Sequence, residues 1–364
     1  MTASEGASDR VEPVTPEGFH RTFHRVKEEI SRVVVGQEPV VVHLLAAIFA
    51  GGHVLLRGLP GLGRTLLVKT LARVLGLEYR RIQFTPDLLP TDIIGTEVLE
   101  SNVATGERHF RFFKGPVFAN LVLADEINRS PTRTQNTLLE VMQERQVTVG
   151  GRTYPLPRPF FMVATENSQD TEGVFHLGEA QVDRFMMMIE QEYPGSEHEK
   201  QMVLQTTGTR PVEAQRVAGP EDILAMQALA REVPVVPAVK EFALALVRGS
   251  RPGEEGAIPE ARGLIRLGAS PRAAQALLLA GKVLALASGR RHVAQQDVVD
   301  VARPVMAHRL LLDYRAQAEG RGHRRVLETL IARAREREVP RVSMWTRELL
   351  NARANRQENK ESAP

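Results

Sequence analysis

Residues 58–65 read Gly-Leu-Pro-Gly-Leu-Gly-Arg-Thr and match a loop pattern that wraps its backbone around a polyphosphate. In the pattern G-x-x-x-x-G-K-[ST], backbone N–H groups turn inward around the phosphates, the lysine reaches the β- and γ-phosphates, and the hydroxyl binds Mg²⁺. Gly58, Gly63 and Thr65 satisfy the pattern, whereas Arg64 stands in place of the lysine. The segment therefore predicts ATP binding by Gly58, Leu59, Pro60, Gly61, Leu62, Gly63, Arg64, Thr65 and Leu66, with Thr65 also a Mg²⁺ ligand.

Two adjacent carboxylates, Asp125 and Glu126, follow the apolar run at 120–124. At the carboxyl end of a strand, Asp125 could hold Mg²⁺ through water and Glu126 could align an attacking water. A strand followed by a polar cap is the alternative. The acidic pair follows a phosphate loop by about sixty residues, which favours the catalytic interpretation. ATP and Mg²⁺ are therefore the expected cofactors.

The elements around the loop have the order that such a site needs. The apolar run at 53–57 predicts a strand, and the spacing of apolar residues from Leu66 to Leu75 predicts a helix that Gly76 ends. A strand, a glycine loop and a helix N-terminus in this order direct backbone dipoles at an anion.

The rest of the chain predicts an α/β nucleotide domain followed by a mainly helical one. Further strands are expected at 79–84, 120–124 and 160–165, a hairpin at 146–156, and a parallel sheet because helices separate the main strands. Helical periodicity dominates after residue 195, with the last long helix at 295–312. The predicted division is a tail at 1–15, the α/β domain at 16–195, a helical lid at 196–341 and a tail at 342–364.

Composition narrows the classes of protein. The chain has no cysteine, which excludes disulfides and thiolate metal sites, and no apolar stretch typical of a signal peptide or membrane span, so a cytoplasmic location is expected. The net charge is only +3, but basic residues outnumber acidic ones two to one after residue 262. Because aromatic residues are not interleaved with this charge, a solvated surface is favoured over specific nucleic-acid binding.

Six ordered blocks resemble the MoxR family of AAA+ ATPases over residues 30–340. They are Arg81–Pro90, Gly115–Phe118, Asp125–Arg129, Ala164–Asn167, Glu179–Phe185 and Ser270–Arg272. The resemblance implies an AAA+ module, with a P-loop nucleotide-binding domain and a helical lid.

The resemblance also implies roles for individual residues. Asn167 would be the sensor that helps to place the water, and Arg184 would be an arginine finger for the neighbouring subunit's nucleotide. Arg272 would be the second sensor, in cis or in trans, while Val35, Gly36 and Gln37 would lie near the adenine. Residues 85–118 would form the helix-2 insert, whose apolar side chains either contact partners or pack on their own domain; Phe112 and Ile94 are among them.

The implied function is a ring, a hexamer, that remodels or matures protein clients containing von Willebrand factor A domains, some of them membrane-anchored. Arg64 departs from the family pattern, as do Glu166 for a common glutamine and Ser168 for the usual proline. Two alternatives stay open: a nucleotide-binding scaffold with little hydrolysis, which Arg64 favours, and a DNA-dependent motor.

Overall fold

The computed structural model describes residues 14–101, 108–167, 173–207, 212–314, 316 and 322–336. The predicted C-terminal tail, nearly all of the predicted N-terminal tail, and Ser168 lie outside these residues.

The strands are β1 (Val54–Gly58), β2 (Tyr79–Gln83), β3 (Gly95–Ser101), β4 (Arg108–Lys114), β5 (Leu121–Asp125), β6 (Gln146–Val149), β7 (Arg152–Pro155), β8 (Phe161–Asn167), β9 (Met187–Gln191), β10 (Ile265–Leu267) and β11 (Leu311–Leu312). The helices are α1 (Pro16–Val33), α2 (Glu38–Ala50), α3 (Arg64–Val74), α4 (Pro90–Ile94), α5 (Thr132–Glu144), α6 (Glu179–Val182), α7 (Ser196–Thr207), α8 (Pro220–Glu232), α9 (Pro237–Gly249), α10 (Ala261–Leu264), α11 (Pro271–Ala287), α12 (Gln295–Met306) and α13 (His323–Glu336).

A parallel sheet with strand order β2-β5-β8-β1-β9 forms the centre of the α/β part. Every residue of β5 is buried, as is typical of strands with helices on both faces. The register aligns Gly58 with Asn167 and with Gln191, and it aligns Gln83 with Asp125. The carboxyl ends of the five strands therefore meet along one edge. The predicted α/β class with a parallel sheet is confirmed.

The phosphate loop joins β1 to α3 at that edge. Gly61 and Gly63 have φ values of 83° and 71°, in the left-handed region that glycine enters without steric cost. Helix α3 begins at Arg64, two residues earlier than its apolar spacing predicted. The unpaired N–H groups of its first turn consequently belong to the loop sequence itself.

Helices dominate after β9, as predicted, with one addition. The helix expected at 295–312 ends at Met306 and continues as a 3₁₀ turn (Ala307–Arg309) and then as β11, which pairs with β10. This turn carries Arg309, whose side chain is 2% exposed.

The insert combines α4 with the β3–β4 hairpin. Ile93 is fully buried, and Phe112 stacks on Tyr154 with ring centroids 4.3 Å apart. Leu99 and Phe110 are cross-strand partners and remain 48% and 67% exposed. The insert thus has both a packed part, which includes Phe112, and an exposed apolar part.

Candidate functional site

The loop and the strand ends enclose a pocket of about 240 Å³. It is lined by Pro60, Gly61, Leu62, Gly63, Arg64, Thr65, Asp125, Glu126 and Asn167. All nine were expected in the nucleotide site from sequence. Gly58, Leu59 and Leu66, the other residues of the segment predicted to bind ATP, do not line this pocket. Thr65 is exposed, in the first turn of α3.

Asp125 is oriented by three hydrogen bonds from two residues. Its Oδ1 accepts a hydrogen bond of 2.6 Å from the Thr165 hydroxyl, while its Oδ2 accepts two from Arg81, at 2.9 Å from Nε and 2.7 Å from Nη2. A carboxylate oxygen has two lone pairs, so Oδ1 retains capacity for one more contact. With the Thr65 hydroxyl in the same pocket, this oxygen donor set fits Mg²⁺, which favours one or two protein oxygens together with phosphates and water.

Glu126 has a left-handed backbone, with φ of 58°. Its N–H donates to the Thr165 hydroxyl at 2.8 Å, so this one threonine fixes both members of the acidic pair. Its Oε2 accepts a 2.8 Å hydrogen bond from Gln83 Nε2 and lies 3.3 Å from Arg129 Nε. The carboxylate is therefore held at the pocket wall by β2.

The Arg64 guanidinium is bound by protein acceptors. Nε donates to Gln191 Oε1 at 2.9 Å, Nη1 to the Glu166 carbonyl at 3.2 Å, and Nη2 to the Leu59 carbonyl at 3.0 Å. Burial lowers the pKa of Arg64, while the charges of Asp125 and Glu126 oppose this shift. Three of its five N–H donors are thus committed to β8, β9 and the loop.

Glu166, the other departure on β8, is neutralised by its neighbour on β1. Arg57 Nε and Nη2 both donate to Glu166 Oε2, at 2.9 and 2.7 Å. The two residues are register partners in the parallel sheet, which explains the contact. The carboxylate is therefore paired with Arg57, and only the backbone carbonyl of Glu166 contacts Arg64.

A second pocket of about 350 Å³ lies between the segment before α2, the end of β9 and α12. Gly36, Gln37, Gln191, Tyr193 and Arg303 are among its lining residues. Val35 is buried, 5% exposed, and does not line it. Of the three residues expected near adenine, the structure brings Gly36 and Gln37 to this pocket.

Arg184 and Arg272 lie apart from the first pocket, at the phosphate loop, which we call the phosphate pocket. Both line a third pocket of about 340 Å³, which we call the arginine pocket, together with Arg145, Arg231 and Arg309. In the part of the chain that the structure describes, the Arg184 side chain has no hydrogen bond or ion pair. Arg272 Nη1 is 3.6 Å from Asp183 Oδ2.

Asp183 connects the Arg184 turn to the lid rather than pairing with Arg184. Its Oδ1 accepts 2.8 Å hydrogen bonds from Arg309 Nε and from the Ser270 hydroxyl. Arg309 also donates to the backbone carbonyls of Asp183, Phe185 and Met186. Burial lowers the pKa of Arg309 and Asp183 raises it again. The turn that presents Arg184 is therefore fixed by a buried arginine from the lid.

Sequence reasoning assigned no role to five residues that hold these groups in place: Arg81, Gln83, Thr165, Gln191 and Arg309. Arg81, Gln83 and Thr165 occur within the blocks that carry the family resemblance, so a signal was present. Gln191, at the end of an apolar strand, gave none.

Two family models match the chain. One, described as the ATPase family associated with various cellular activities, matches residues 53–187, and an AAA lid domain model matches residues 260–330. None of the helices in the described ranges has both the length and the hydropathy to cross a bilayer.

Curated relatives and a crystal structure agree with these matches. Chaperone MoxR1 of Mycobacterium tuberculosis is 43% identical over 82% of this chain and 78% of its own length. Protein MoxR of Methylorubrum extorquens is 32% identical over 79% of this chain and 87% of its own. A crystal structure of an inferred ATPase from Cytophaga hutchinsonii has a TM-score of 0.80 at 40% identity, over 87% of this chain and 95% of that one. Because fold, site and sequence agree, we conclude that the chain belongs to the MoxR family of AAA+ ATPases.

Proposed function

We propose that this protein is a chaperone-type ATPase that hydrolyses ATP within a ring, a hexamer, and uses the energy to remodel or mature protein clients. The observation that carries the proposal is the meeting of the glycine loop, Asp125, Glu126 and Asn167 in one pocket. Phosphate-binding backbone, a metal-binding carboxylate, a candidate base and a polar sensor are the components that phosphoryl transfer to water requires.

Within one subunit, the backbone N–H groups of the loop and the first turn of α3 would bind the β- and γ-phosphates. Thr65 and Asp125 would hold Mg²⁺, which neutralises charge on the phosphate oxygens. Glu126 would orient the attacking water, with Asn167 assisting. Gln83 holds the Glu126 carboxylate at 2.8 Å, so alignment of the water involves β2 as well.

Further stabilisation of the charge on the γ-phosphate oxygens would come from a neighbouring subunit. Arg184 and Arg272 line one pocket that is separate from the phosphate pocket, which supports action in trans for both. Arg184, whose side chain has no ion pair among the described residues, can offer its planar fork to the γ-phosphate oxygens of another subunit. Arg145 and Arg231 add positive charge to the same pocket.

We further propose slow intrinsic hydrolysis, because the Arg64 guanidinium is bound by three protein acceptors. The alternative, a nucleotide-binding scaffold with little hydrolysis, draws on the same observation. The presence of Asp125, Glu126 and Asn167 in one pocket favours the enzyme. The DNA-dependent motor has no specific observation in its favour.

The clients that fit best are proteins with von Willebrand factor A domains, some membrane-anchored, met in the cytoplasm. This part of the proposal rests on the family and not on a contact in the structure. The exposed apolar pair Leu99 and Phe110 on the insert supplies a surface for such a client.

The deciding experiment is ATP turnover by purified protein at saturating Mg²⁺, alongside titration of a fluorescent ATP analogue. We expect saturable binding and a slow rate that Glu126→Gln abolishes while binding persists. Binding with a rate equal to that of Glu126→Gln would establish the scaffold instead, and absence of binding would refute both.

A further inference from the structure

A chain of hydrogen bonds connects Arg64 to the segment before α2. Arg64 Nε donates to Gln191 Oε1 at 2.9 Å, Gln191 Nε2 donates to Gln37 Oε1 at 2.8 Å, and Gln37 Nε2 donates to the Leu62 carbonyl at 2.7 Å. We call Arg64, Gln191, Gln37 and Leu62 the glutamine relay. It begins and ends in the phosphate loop.

The two glutamine side chains of the relay are buried. Gln37 and Gln191 are each 5% exposed, so each amide depends on its protein partners for hydrogen bonding. The packing around it is tight: a Cβ added to Gly58 would lie 2.6 Å from the Gln191 carbonyl oxygen and 3.3 Å from Arg64 Nη2. Gln191 Nε2 is bonded to Gln37 Oε1, so Gln191 can follow the guanidinium into the phosphate pocket only by breaking that buried bond.

The relay also connects residues that line two different pockets. Gln37 and Gln191 line the 350 Å³ pocket that includes Gly36, and Arg64 lines the 240 Å³ pocket of the phosphate loop. For Arg64 to contact a phosphate with the same N–H groups, it must release Gln191 and the Leu59 and Glu166 carbonyls. The buried Gln191 Oε1 would then lose its donor, and an unsatisfied buried acceptor is costly.

We propose that Gln191 is a positioning residue that acts through Arg64. It retains the guanidinium on β9 and so limits the charge that reaches the β- and γ-phosphates. This inference rests on the proposed ATPase function. It assigns the slow step to a specific contact, Arg64 with Gln191, and not to the bulk of arginine alone.

The test compares kcat and analogue affinity for Gln191→Leu and Gln191→Glu, each with Arg64 and with Arg64→Lys. With Arg64, we expect Gln191→Leu to raise kcat by about tenfold, the scale of one hydrogen bond to a charged group. Gln191→Glu should lower kcat, because a carboxylate strengthens the contact. With Arg64→Lys, Gln191→Leu should leave kcat unchanged.

Gln37→Leu is the matched control, because it breaks the relay but keeps the bond between Arg64 and Gln191. It should change analogue affinity without raising kcat.

A similar fall in kcat for Gln191→Leu in both backgrounds, or identical behaviour of Gln37→Leu and Gln191→Leu, would overturn the inference. Thermal melting establishes that each variant is folded. If Gln191→Leu fails to fold, a kcat for Gln191→Glu equal to or above wild type would overturn it instead. Loss of analogue binding in every protein, wild type included, would refute the proposed function itself.

Discussion

Arg64 differs from lysine in shape as well as in size. Its planar guanidinium satisfies acceptors on three segments at once, at 2.9 to 3.2 Å, which a single ammonium on a flexible stem cannot reproduce. The backbone donors of the loop are the same for either side chain. Position 64 should therefore affect turnover more than nucleotide affinity.

We expect Arg64→Lys to raise ATP turnover, since the ammonium is free to reach between the β- and γ-oxygens. Misplacement of a reacting group can cost about a hundredfold, which sets the scale of the possible gain. The measurement is turnover at saturating Mg²⁺, with analogue titration for affinity and Glu126→Gln as the background. A wild-type rate equal to or above that of Arg64→Lys would contradict this expectation.

At the scale of elements, His53 joins the start of β1 to its neighbours. Its Nδ1 accepts the Met162 N–H at 3.0 Å, and its Nε2 lies 3.1 Å from the Met142 carbonyl. Nδ1 must be unprotonated to accept that bond. Burial, helped by the charge of Arg145, lowers the pKa of His53 from 6.5 to about 4.

This shift predicts loss of stability in acid. Between pH 6.5 and 4, His53 binds a proton in the unfolded state but not in the folded state. Its contribution to the free energy of unfolding is therefore fully present above pH 6.5 and is lost as the pH falls towards 4. The shift corresponds to about 3 kcal/mol by pH 4. In denaturant titrations, His53→Asn should reduce this pH dependence, while the same change at exposed His176 should not. Parallel curves for wild type and His53→Asn would rule the assignment out.

The insert divides into packed and exposed side chains, which changes the choice of variants for testing partner contacts. Phe112 stacks on Tyr154, and Ile94 packs on the core, so polar changes there would disturb folding. Changing Leu99 and Phe110 together to serine should spare analogue binding and weaken capture of a purified von Willebrand factor A domain. Ile93→Ser, at a fully buried site, serves as the folding control. Unchanged capture by the double variant would remove the insert from the client surface.

At the scale of the whole molecule, the arginine pocket and the phosphate pocket are separate sites of one chain. If Arg184 acts in trans, subunits that lack Glu126 can still supply their arginine to subunits that lack Arg184. Mixing Glu126→Gln with Arg184→Ala subunits should therefore restore hydrolysis that neither has alone. Arg248→Ala, an exposed arginine on α9, should behave as wild type in the same mixtures.

The mixing result can be interpreted only when the subunits are shown to exchange. Mass measurement of the mixed assemblies, with one subunit tagged, establishes that the subunits exchange. If mixed rings form and hydrolysis does not return, the assignment of Arg184 to the neighbouring site is wrong.

The sequence alone determined the phosphate loop, the acidic pair and the parallel sheet. These are local features: glycines at 61 and 63 permit positive φ, and apolar runs bounded by turns define the strands. Because parallel strands present their carboxyl ends at one edge, the meeting of the loop with Asp125 and Asn167 followed from the order of elements.

Only the tertiary structure decided what holds those groups. Arg64 finds Gln191 across 127 positions, and Arg309 finds Asp183 across 126, contacts that depend on strand register and on how the lid packs. A buried glutamine and a buried arginine have no local pattern that marks them, because their partners are brought together only when distant segments fold. The separation of Arg184 from the phosphate pocket is decided in the same way, since the order of residues along a chain does not specify which pocket a side chain lines.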